Sequence, residues 1–132
     1  MSPDIEKAFR IWEPVGKALH KRVWPALSEA QQAWKDVVDL RIKDYSTSFD
    51  PTGDRGPMYP TIYLASGTGK SSVNWHIRCT ELGVVTVGPA SWAMGTTETW
   101  PLAEFSDEQI KTFVARVVHD ALRVAAESGH QR

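Results

Sequence analysis

The hydrophobic period of this chain changes twice, and that change constrains its fold more than any single motif. Between Val73 and Thr80 the residues Val73, Trp75, Ile77 and Cys79 alternate with Asn74, His76, Arg78 and Thr80. A period of two places one set on a core and the other on the opposite face of a strand. From Ser106 onward the spacing becomes helical. Ile110, Phe113, Val114, Val117, Val118, Ala121, Leu122 and Val124 form one apolar stripe, with Lys111, Arg116, Asp120 and Arg123 opposite. Ser106 with Gln109 three residues on is a capping box, and Asp107 and Glu108 suit the positive end of the helix dipole. Gly129 ends the pattern.

The first 45 residues also carry helical spacing. Ser2-Pro3 is an N-cap followed by proline at the first helical position, and Ile5, Ala8, Phe9 and Trp12 begin a stripe. Pro14 and Pro25 interrupt or kink it, because a proline inside a helix lacks the donor that the ladder needs. Ser28 and Gln31 read as a second capping box, followed by Ala30, Trp34, Val37, Val38 and Ile42. Val38, Leu40 and Ile42 also alternate with charged neighbours, so this end fits a strand as well; the helical reading is preferred. Residues 46–60 hold three prolines and two glycines and read as a long loop, the kind that is usually functional or mobile. Residues 61–100 read as an antiparallel meander with runs at 61–66, 72–80 and 84–87 and a short fourth strand at 96–100.

At 132 residues the chain amounts to one domain. The expected fold class is α+β: N-terminal helices, a three- to four-stranded antiparallel sheet, and a C-terminal helix over 106–128 packed on one sheet face.

Composition narrows the function classes. Fifteen Lys and Arg against sixteen Asp and Glu leave a net charge of -1, so no bulk field recommends nucleic acid or an anionic membrane. A single cysteine, Cys79, excludes an internal disulfide framework. No apolar stretch reaches the ~18 residues of a membrane span, and no apolar signal-peptide core opens the chain, which gives a cytoplasmic expectation.

The chemical motifs are weak. Gly67-Thr68-Gly69-Lys70-Ser71 ends like a phosphate-binding loop, but Leu64 stands where the pattern needs glycine, and a strand rather than a helix follows. A hairpin turn explains it, and Lys70 is expected to hold no nucleotide phosphate. His76 and Cys79 lie three apart, on opposite faces of a strand, so they make no metal pair, and neither a metal nor a cofactor is expected. No serine occupies a nucleophile elbow. His76 is the one candidate general acid or base; a neighbouring strand would have to supply Tyr63 or Glu98. The stretch from Asp50 to Asp54 lacks calcium-loop spacing.

What stands out is six tryptophans, more than a small core readily encloses, because the indole is large and its N–H needs a partner. Trp92 and Met94 lie in a stretch bounded by Pro89 and Gly95, and Trp100 precedes Pro101. Aromatic residues, Met and Arg are favoured at interface hot spots. The expected function is therefore a small non-enzymatic recognition protein (an inhibitor, immunity protein, adaptor or phage-type accessory factor). It would bind a protein through the open sheet face and loops, using Trp92, Met94, Trp100, Asp54, Arg55, His76 and Arg78. Trp92→Ala is then expected to weaken binding with little change in melting temperature. The alternative is a small-ligand pocket or small enzyme, its cleft between sheet and helices lined by Trp75 or Trp100 and His76. A third reading is self-association through an exposed sheet edge.

Overall fold

The computed structural model describes residues 3–47, 59–67, 72–80, 82–89 and 98–130. A long helix α1 (Pro3–Trp34) leads into five strands, β1 (Arg41–Tyr45), β2 (Thr61–Ser66), β3 (Val73–Cys79), β4 (Val84–Pro89) and β5 (Glu98–Pro101). A short 3-10 turn, Leu102–Glu104, then precedes helix α2 (Asp107–His130). The strands form one antiparallel sheet in the order β1-β2-β3-β4-β5, a simple meander. The α+β class therefore holds, with one more strand than the sequence pattern indicates.

The additional strand is β1. Residues 41–45 are strand rather than the end of a helix, because α1 stops at Trp34 and the amides of Val37 and Val38 turn back onto its carbonyl. Ile42 and Asp44 point inward while Arg41, Lys43 and Tyr45 are exposed, the alternation of a half-buried edge strand.

Helix α1 is continuous through both prolines. Pro14 and Pro25 are exposed, and so are Arg10 and Lys21 one turn back, so the carbonyls that lose a donor face water. The second capping box does not form, since Ser28 and Gln31 lie inside α1; Gln31 Nε2 instead donates to the carbonyl of Leu40 at 2.8 Å. The box at α2 does form: Ser106 N donates to Gln109 Oε1 at 2.9 Å, and Gln109 N to Ser106 Oγ at 3.2 Å.

The core lies between the two helices and one sheet face. Leu19, Val23 and Leu27 of α1 and Ile110, Phe113, Val114, Val117 and Val118 of α2 pack with Ile62, Leu64, Ile77, Cys79, Val85 and Val87 of the sheet. Leu122 does not join this core and is 43% exposed, because one residue on from the buried Ala121 it is turned ~100° around α2, onto the flank of the stripe. Cys79 is fully buried, and that burial pushes its thiol up to about 11. No helix among the described residues is long and apolar enough to cross a membrane.

Candidate protein-interaction surface

Strand register assigns every side chain of the sheet to one of two faces. Away from the helices, one row runs Lys43, Tyr63, His76 and Gly88, and the next runs Tyr45, Thr61, Arg78, Thr86 and Thr99. Arg41, Ala65 and Asn74 form a third row. None of these residues is Asp or Glu. The centre of the face is desolvated, with Thr61, Ala65 and His76 buried, while Arg41, Lys43, Tyr45, Asn74 and Thr99 are exposed around it. Aromatic contacts order the surface. The rings of Tyr45 and Tyr63 meet edge to face at 5.8 Å, and the Arg78 guanidinium lies 5.9 Å from the ring of Tyr59. Tyr59 in turn meets Trp12 of α1 at 4.9 Å.

His76 and Arg78 share this face, as their spacing implies, and Tyr63 stands directly opposite His76. Glu98 does not join them. It pairs with Val87 on the helix side, where it forms an ion pair with Arg116. Trp75 and Trp100 are also on the helix side: Trp75 packs edge to face on Phe113 at 5.7 Å, and Trp100 stacks on Phe105 at 5.4 Å. A cleft shared by His76 with either tryptophan is thus excluded by the strand alternation that puts them on opposite faces. Trp100 faces the helices and not the opposite face of the sheet. Trp92, Met94, Asp54, Arg55 and Lys70 lie outside the described residues. None of the other five tryptophans is fully buried; the largest enclosed side chains are Phe105 and Phe113.

Burial, followed by the neighbouring Arg78 charge, pushes the pKa of His76 down to about 4. The imidazole is therefore neutral at pH 7 in the folded chain, and the unfolded chain binds the extra proton between about 4 and 6.5. Stability should be fully present above pH ~6.5 and should fall toward pH 4, by roughly 1–2 kcal/mol after allowance for solvent screening. Urea melts of wild type and His76→Gln across this window check the sign, since the variant should lose that part of the slope.

A hollow lies between α2 and the sheet, lined by Trp75, Thr112, Arg116, His119, Asp120 and Arg123. Its charges are already matched. Arg116 pairs with Glu98, and Arg123 reaches Asp120 at 2.6 Å and Glu127 at 2.9 Å. The indole N–H of Trp75 also donates to Asp120, at 3.1 Å. A charged ligand there would have to displace an existing partner. Among the described residues, no three His, Cys, Asp or Glu side chains gather as a metal site requires.

Sequence reasoning named His76 and Arg78, and Tyr63 as a neighbour of His76, but not Tyr45 or Lys43, which share their face. The alternation of Arg41, Lys43 and Tyr45 carries that signal once residues 41–45 are read as a strand. Compared with protein-family models, with curated proteins and with solved structures, the chain finds no match in any of the three.

Proposed function

We propose that this chain is a small non-enzymatic recognition module that binds a protein partner through the sheet face opposite its helices. The composition of that face carries the reading. Tyr45, Tyr63, Arg41, Lys43 and Arg78 surround a desolvated centre at Thr61, Ala65 and His76. Interface hot spots favour tyrosine and arginine, with a polar rim around them; here the side chains that reach the surface are Arg41, Lys43 and Tyr45, with Tyr63 and Arg78 half-buried between them and the buried centre. A face that served only to meet water would carry both signs of charge interspersed. The helix-side hollow supports the reading less, because its cations are satisfied within the chain.

A displayed library of random peptides panned on the full chain tests this. Bound peptides should shift the amide resonances of Tyr45, Tyr63, His76 and Arg78. Shifts confined to Trp75, Thr112 and Arg116 would place binding in the helix-side hollow and overturn the proposal. So would a library that yields no binder to the sheet face.

A further inference from the structure

We infer that the partner's docking segment is acidic and that one of its carboxylates seats on the guanidinium of Arg78. This inference rests on the recognition reading above and names the chemistry of the same face.

Charge on the sheet strands is sorted by face. Arg41, Lys43 and Arg78 all project away from the helices, whereas the two strand carboxylates, Asp44 and Glu98, both project toward them. Those carboxylates are taken. Asp44 Oδ2 lies 2.6 Å from His20 Nδ1, its Oδ1 accepts from Ser46, and Glu98 pairs with Arg116. Elsewhere the chain supplies its arginines with acids: Arg22 has Asp107, and Arg123 has Asp120 and Glu127.

Arg78 is different. It is half-buried, it forms no ion pair among the described residues, and its Nε is buried without a hydrogen-bond partner. Desolvating a cation with no counter-charge is costly, and the cost is recovered when an acceptor arrives. The guanidinium is a planar fork that takes a carboxylate through two parallel N–H donors. Tyr59 lies 5.9 Å from it, and the register places Thr86, a half-buried hydroxyl-bearing residue, beside Arg78, while the hydroxyl of Thr61 on its other side already donates to the carbonyl of Tyr59 at 2.7 Å. Lys43 on the exposed rim would steer an acidic segment to the face, while Arg41 beside it already has Asp39 at 3.7 Å. A nucleic acid is the weaker fit. Its affinity is drawn from many phosphate contacts, and this face offers three cations on a chain of net charge -1.

The test uses the face-binding peptides selected on the full chain. They should be enriched in Asp and Glu and should weaken as salt is raised. Arg78→Gln should reduce affinity about thirtyfold or more, the scale for truncating one partner of a desolvated charge pair. Lys43→Glu, an exposed substitution that does not endanger folding, should reduce it about tenfold. If Arg78→Gln melts early, Lys43→Glu and the salt dependence decide the matter. Peptides that bind the face but are neutral or basic would overturn the acidic inference and leave the recognition reading standing. Failure to find any face binder would overturn both. An oligo-dT probe that binds this face more tightly than the acidic peptides would also overturn the inference.

Discussion

Val118→Asp should abolish cooperative folding. Val118 is 1% exposed and lies on the inner stripe of α2, among Val114, Val117 and the sheet residues of the one core. The substitution removes apolar contact and places a carboxylate where no cation is packed against it. Its ionised form must be desolvated, or it must take up a proton at neutral pH, and either route costs about 4–5 kcal/mol or more. A domain of this size has roughly 5–15 kcal/mol in all. Circular dichroism and a urea melt check it. The expected result is a non-cooperative transition, and a soluble variant with a cooperative melt near wild type would show that α2 does not close the core. Leu122→Asp, four residues along on the exposed flank of the helix, should stay within about 0.5 kcal/mol of wild type.

Gly16→Ala should destabilise the chain although alanine is the better helix former. In the middle of a helix the exchange alone favours alanine by about 1 kcal/mol. At this position a Cβ would lie 1.8 Å from the carbonyl oxygen of Ser46 and 2.9 Å from its carbonyl carbon. Ser46 has little room to retreat. It is fully buried, and both its amide and its hydroxyl donate to Asp44 Oδ1, while Asp44 Oδ2 is held by His20 of α1. Helix and edge strand must therefore separate, or the network must break. We expect a net loss of about 2–4 kcal/mol, the upper range of overpacking effects. Thermal melts of Gly16→Ala against Lys17→Ala, which changes an exposed neighbour, measure it. Equal melting temperatures would contradict the close approach of α1 to the end of β1.

Helix α2 was legible because two independent signals agree there, a reciprocal cap and a long stripe at one period. The stripe overstated Leu122, which lies on its flank, since periodicity alone does not say how wide an arc of the helix the core covers. Strand β1 was not legible. Val38, Leu40 and Ile42 satisfy both periods, and only pairing with β2 (Ile42 opposite Leu64, Lys43 opposite Tyr63) selects the strand. The prolines of α1 misled in the same way. Their cost depends on whether the orphaned carbonyl faces water or core, which is a property of the packed helix.

The candidate surface divides along the same line. Alternation within β3 sufficed to put His76 and Arg78 on one face and Trp75 and Cys79 on the other. Which residues of other strands join them depends on register. Register brought Tyr63 and excluded Glu98, and register belongs to the pairing of strands rather than to the pattern of any one of them. That Arg78 has its Nε buried without an acceptor could be seen only once its neighbours were in place.

The central claim is that the sheet face opposite the helices binds a protein partner, and Tyr45→Ala tests it most directly. Tyr45 sits on the edge strand, 37% exposed, with its ring against Tyr63, so its loss should cost the fold little. The measurement is a calorimetric titration of one face-selected peptide into wild type and variant, paired with a thermal melt of each. We expect the melting temperature to move by no more than a few degrees (~1 kcal/mol) while Kd rises about thirtyfold (~2 kcal/mol). An unchanged Kd in a folded Tyr45→Ala variant would contradict the account.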